Sequence, residues 1–218
     1  MERCVLALCA GRQARAGDAQ DPGGKAALFR SLRAGALAPR DLARVVLELR
    51  VKRWLDHPKE YSIAITALGK QQMWQDAISF LDDMRQSSIA PDTVTYNAAI
   101  SACDKGGEWV SALALLNAML QHRIEIHTIT CSAAIGACGK RGEFAKALEL
   151  LRAMVEDQIF IDKIAYSAAI SACEKGGAWL KALELGRIMA LGGIGLDTIT
   201  YNALLSACEK GGEWVKVL

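Results

Sequence analysis

The chain has 218 residues, is 52% apolar and 6% aromatic, and carries a formal net charge of +2. That length accommodates one sizeable core or a short array of repeated units, and the sequence holds neither a long uncharged apolar run of the kind that spans a membrane nor a low-complexity tract. The charge is uneven: residues 1–57 hold 11 Lys/Arg against 6 Asp/Glu (+5) and residues 58–218 hold 15 against 18 (−3), which excludes a chain-wide basic field as the means of attracting a polyanion.

Residues 1–24 read as a leader. The stretch MERCVLALCAGRQARAGD has arginine and a short apolar run but lacks the longer apolar core of a secretory signal. It fits an organellar transit peptide and a disordered leader equally. Residues 25–57 include RDLARVVLELRVKRWLD, a helical stretch from Arg40 to Asp56, and read as a helical cap or a degenerate repeat.

A strict 35-residue period begins at Tyr61: YSIAITALGK, then YNAAISACDK from Tyr96, CSAAIGACGK from Cys131, YSAAISACEK from Tyr166 and YNALLSACEK from Tyr201. Trp74, Trp109, Phe144, Trp179 and Trp214 follow at the same pitch, as do Met84, Met119, Met154 and Met189. Within a unit, Tyr96, Ala99, Ile100 and Cys103 fall at i, i+3, i+4 and i+7, one helical stripe; Gly106-Gly107 ends it, and Trp109, Ala112, Leu113, Leu116 and Met119 form a second. Each unit is thus two helices and two turns, with Ala98-Ala99 and Ala168-Ala169 small enough for close helix approach and the Trp and Met series assigned to the core. Units span 58–92, 93–127, 128–162, 163–197 and 198–218. The fifth stops early in its second helix, which predicts a longer array. Cys103, Cys138, Cys173 and Cys208 recur with the period and no C-x-x-C pair occurs, so these thiols read as small buried residues in a reducing compartment rather than as disulfides or metal ligands.

With the unit written out, the chain resembles the pentatricopeptide repeat (PPR) family of RNA-binding proteins. The resemblance rests on Val94-Thr95-Tyr96-Asn97-Ala98-Ala99-Ile100, Lys105, Gly106-Gly107, Ala112-Leu113, Met119 and the linking Ile89-Ala90-Pro91-Asp92, and it covers about residues 58–218. The tetratricopeptide pattern competes less well: it has 34 residues and a Leu-Gly pair in the first helix, whereas here the Trp lies in the second. The resemblance implies an all-α fold, a right-handed α-solenoid of stacked hairpins, and single-stranded RNA as partner, with about one base read per unit.

In that family the base is read by the fifth residue of a unit with its last. The fifth residues here are Ser62, Asn97, Ser132, Ser167 and Asn202; the last are Asp92, His127, Asp162 and Asp197. An Asn amide can pair with a pyrimidine edge, Ser leaves room for a purine, and Asp accepts from the imino N–H of guanine or uracil. With the first unit at the 5′ end, the implied footprint is G-Y-G-G-Y, and His127 departs from the usual Asp or Asn. The second residues, which sandwich bases in the family, are Val94, Ile129, Ile164 and Ile199, with Lys59 departing in the first unit. Lys70, Lys105, Lys140, Lys175 and Lys210 close the first helices, a stripe suited to phosphates.

Each of these features has a structural reading as well. The Asp residues sit where helix caps sit, and Lys near a helix C-terminus is favoured by the dipole. Alternation confined to Asn and Ser at the fifth place, between nearly fixed neighbours, favours the reading role. The three histidines start no H-x-E and no nucleophile or phosphate-loop motif occurs, so no catalysis, metal or cofactor is expected in these residues. The remaining alternative is a protein-interaction scaffold of the same shape. By resemblance, the location is a mitochondrion or plastid and the role is RNA processing, stability or translation.

Overall fold

The computed structural model describes residues 22–34 and 37–212. Among these residues there are eleven helices and no strand: α1 (Pro22–Ala34), α2 (Pro39–Val51), α3 (Pro58–Lys70), α4 (Trp74–Gln86), α5 (Thr93–Gly106), α6 (Trp109–Gln121), α7 (Thr128–Arg141), α8 (Phe144–Glu156), α9 (Lys163–Lys175), α10 (Trp179–Leu191) and α11 (Thr198–Lys210). The chain is an all-α solenoid of repeated hairpins.

Two left-handed residues per 35 punctuate the helices. After the first helices stand Gln72, Gly107, Gly142, Gly177 and Gly212, with φ between 59° and 75°. After the second stand Arg53, Ser88, Arg123, Gln158 and Gly193, with φ between 50° and 69°. Glycine takes this conformation without the clash that a Cβ brings, which is why it dominates the first series.

The helices form two layers. First helices pack on one another in the order α3, α5, α7, α9, α11, and each second helix lies against the first helix of its own unit and of the next. The approach in the first layer is close: a Cβ on Gly139 would lie 2.8 Å from the Ala168 carbonyl oxygen, and one on Gly69 would lie 2.9 Å from the Ala102 Cβ. Ile65 and Ile100 of the first helices are buried in one apolar cluster with Met84 and Met119 of the second, and Ile135 and Ile170 in another with Met154 and Met189. The periodic cysteines are buried here too, and burial, the largest effect, pushes the Cys103 thiol up to about 12 and the Cys138 and Cys173 thiols up to about 11, so they stay protonated at neutral pH.

Two expectations change. Trp74, Trp109, Phe144 and Trp179 are half-buried rather than core residues. Each begins a second helix, and three of the rings cover the end of the first helix in the next unit: Trp74 lies over Gly106, Phe144 over Gly176 and Trp179 over Gly211. A Cβ at those glycines would stand 2.5–2.6 Å from the ring, so ring and glycine are matched across the seam. The leader expected over residues 1–24 is also too long, because α1 starts at Pro22. Proline suits a first helical turn, where no N–H is needed, and contact with the rest of the array outweighs Gly23-Gly24. Residues 1–21, and Trp214 in the fifth unit, lie outside the described residues.

In the first segment, α2 has the bounds of α4 less 35 residues, and its buried Leu42, Val45, Val46 and Leu49 stand at the places of Ala77, Phe80, Leu81 and Met84. Helices α1 and α2 make little direct contact, and each packs on α3. Arg50 ties α2 to α4, with Nε 2.7 Å from Asp83 Oδ2 and Nη2 donating to Ser79 Oγ at 2.8 Å.

Candidate nucleic-acid interface

The first turns of α5, α9 and α11 share one local design. Asp92 Oδ1 accepts from the N–H of Thr95 at 2.8 Å and from its hydroxyl at 2.6 Å. Asp197 Oδ1 does the same with Thr200, at 2.9 and 2.7 Å. Asp162 Oδ1 accepts from the N–H of Ala165 at 2.8 Å. Helix capping by these residues is therefore real, but it uses one oxygen of each carboxylate. Oδ2 of Asp92 and of Asp162 has no protein partner among the described residues, whereas Oδ2 of Asp197 lies 3.3 Å from Lys163 Nζ. At His127 the side chain caps nothing; its Nδ1 lies 3.7 Å from Glu125.

The fold brings fifth and last residues together unevenly. Ser132 Oγ donates to Asp162 Oδ1 at 3.1 Å, a direct contact between the two ends of one unit. In the next unit the link is indirect. Thr200 gives its one hydroxyl proton to Asp197, so Ser167 Oγ, 2.7 Å away, donates to Thr200. Asn97 Oδ1 accepts from the Thr130 hydroxyl, and the Thr130 N–H donates to the His127 carbonyl at 3.0 Å. Ser62 Oγ turns back to the Lys59 carbonyl at 3.0 Å and does not meet Asp92. Exposure varies as well. Ser62, Asn97 and Ser167 are half-buried and Asn202 is exposed, but Ser132 is only 7% exposed, short of the open groove expected for the whole row. Ser132 is also the fifth-place residue that reaches the last residue of its own unit directly.

Sequence reasoning passed over the third residue of the unit. Thr95, Thr130 and Thr200 are buried at that place, as is Ala165. Where a hydroxyl is present it stands between neighbouring units; where Ala165 lacks one, Ser132 reaches the carboxylate itself. The signal was available as the series Thr95, Thr130, Ala165, Thr200 at constant spacing.

Beside this row, Val94, Ile129, Ile164 and Ile199 leave 61–71% of their surface open to solvent. Four large aliphatic side chains exposed at one pitch are an unusual outlay for a purely structural surface. The lysines are exposed but not equivalent. Lys140 Nζ donates to the Asp104 carbonyl at 2.6 Å and pairs with its carboxylate at 3.3 Å, and Lys210 pairs with Glu174. Lys105 and Lys175 find glycine, Gly69 and Gly139, at the corresponding place in the preceding unit. They and Lys70 have no acidic partner among the described residues. At Glu174 burial would raise the carboxyl, but hydrogen bonds from Lys210 and Ser206 outweigh it and hold the group below its ordinary range.

Asp197 gives a test of the capping geometry. The N–H and the hydroxyl of Thr200, with Lys163 nearby, lower its carboxyl from 3.8 to about 2. Because the folded value lies below the unfolded one, its contribution to stability is full above about pH 4 and is lost as pH falls towards 2. Thermal melts of the wild type and of Asp197→Asn should therefore differ most at neutral pH and converge towards pH 2. A constant difference would contradict the assignment.

The PPR repeat family matches residues 61–105, and the PPR repeat matches 94–124, 129–159, 164–194 and 199–218. No curated protein sequence matches the chain. Among solved structures, PPR10 in complex with an 18-nt psaJ RNA element superposes with a TM-score of 0.67 at 23% identity, over 88% of this chain and 31% of that one. The PPR domain of Arabidopsis thaliana protein-only RNase P 1, in complex with tRNA, gives 0.59 at 14% identity over 70% and 82%. Nuclear proteinaceous RNase P 2 from A. thaliana gives 0.63 at 15% identity over 73% and 36%. The chain thus spans less than a third of the length of PPR10. With the PPR repeat matched across most of residues 61–218, on hairpins that recur every 35 residues, the chain belongs to the PPR repeat family.

Proposed function

We propose that the face carrying the fifth and last residues binds single-stranded RNA, with successive units meeting successive bases. The observation that carries this reading is the joint occurrence of two rows at one pitch. One holds hydrogen-bonding groups (Asn97, Ser132, Ser167, Asn202 with Asp92, His127, Asp162, Asp197), and beside it runs the exposed aliphatic series Val94, Ile129, Ile164, Ile199. Bases have polar edges and apolar faces, and a row for each is what a splayed strand requires. The RNA carried by PPR10 and the tRNA carried by the PPR domain of protein-only RNase P 1 support the same partner.

In this reading the footprint is G-Y-G-G-Y from the 5′ end, Asn selecting pyrimidine and Ser with Asp selecting guanine. The residues bind and do not catalyse, and they serve RNA processing, stability or translation in a mitochondrion or plastid. The test is Asn97→Ser. Serine is shorter and cannot present the amide, so preference at the second base should move from pyrimidine towards purine, by about tenfold in relative affinity. Unchanged preference in a four-base comparison at that position would remove the proposal.

A further inference from the structure

Cationic side chains gather where α1 lies beside α3. Lys25, Arg30, Arg33 and Lys59 line an open cleft of about 510 Å³. A smaller one, about 210 Å³, continues past Arg33, Ser62, Thr66 and Lys70. Arg33 and Ile63 border both, so a single track runs along the two helices to the first fifth-place residue, Ser62. Lys25 is neutralised by Glu60 at 2.7 Å and Asp56 at 3.3 Å. Arg30, Arg33 and Lys59 are exposed and have no acidic partner among the described residues. Two guanidiniums and an ammonium therefore face the track unopposed.

The same place lacks what a base requires. Lys59 replaces the aliphatic residue found at Val94, Ile129, Ile164 and Ile199, so the exposed aliphatic side chain beside the later reading positions is missing here; of the apolar residues lining the cleft, Phe29 is buried and Ile63 half-buried. Along the exposed side of α1, Ala26 and Ala27 have no group to read a base edge. Charge without edge recognition suits a phosphodiester: guanidinium forks bind phosphate oxygens in pairs and convey no sequence information. We propose that α1 and the first turn of α3 form a base-blind phosphate clamp for the RNA backbone immediately 5′ of the base at Ser62. This rests on the RNA-binding reading and on its strand polarity. It also accounts for Lys59, the departure from the unit pattern that weakens base sandwiching in the first unit.

The test uses the full chain and the pentamer GUGGU, unextended or carrying three abasic nucleotides at its 5′ or its 3′ end, in competition binding at about 50 mM and 200 mM salt. The 5′ extension should tighten binding at least about fivefold at the lower salt and lose most of that gain at the higher, because backbone contacts release counterions. The 3′ extension should add little. Arg30→Gln, at a residue that lines the larger cleft and not the one at Ser62, should cut the 5′ gain by at least about twofold and leave the unextended pentamer within about twofold. A 5′ gain left unchanged by the substitution, or an equal gain from the 3′ extension, overturns the clamp. The ratio is also read on a scrambled pentamer: a 5′ gain that persists there, with no preference for GUGGU, overturns base reading while supporting the clamp.

Discussion

Met119→Ala should cost about 2–5 kcal/mol, the range for truncating a buried long aliphatic side chain. Met119 is fully buried on α6, a helix that contacts both α5 and α7, so the cavity falls on the seam between the second and third units. Hairpins in an array contact only their neighbours, and a weakened seam separates the units on either side of it. Urea unfolding should show a lower midpoint with a broadened or two-step transition. Leu120→Ala, one residue on but exposed, should stay within about 0.5 kcal/mol of the parent. Equal effects at the two sites would contradict the layered packing.

The lysine stripe should divide into two classes. Lys105→Ala with Lys175→Ala removes two ammoniums that have no acidic partner, and should lower affinity for every RNA by about tenfold while reducing the salt dependence by about 1.4, the single-strand value for two phosphates. Lys140→Ala with Lys210→Ala removes two charges already committed to Asp104 and Glu174, and should do less than half as much. The two double variants differ only in what the preceding unit places opposite the lysine. Binding isotherms across a salt series separate them, and identical slopes would show the ion pairs to be irrelevant.

Much of the fold was legible in the sequence because one unit recurs without insertion. Ile100 and Met119 declare buried faces, and repetition at Ile135 and Met154 turns a local pattern into an array. What escaped notice depends on the neighbouring unit. The half-burial of Trp74 follows from Gly106, 32 residues later, and the pairing of Lys140 follows from Asp104, 36 residues earlier. The first helix was obscured by Pro22-Gly23-Gly24, which locally signal a break. Phe29 and Leu32 are buried against the array and help hold α1 in place. In the candidate site, the fifth and last residues stood out as variable polar places between fixed ones. The threonine between them did not, because its effect arises only where two units meet.

The central claim is that the side chains at Ser62, Asn97, Ser132, Ser167 and Asn202 select bases in order. Competition of GUGGU against a scrambled pentamer of the same composition, on the intact chain at one fixed salt concentration, addresses it most directly. Base selection requires GUGGU to bind more tightly by at least about tenfold; indistinguishable affinities would leave a helical scaffold that does not read sequence.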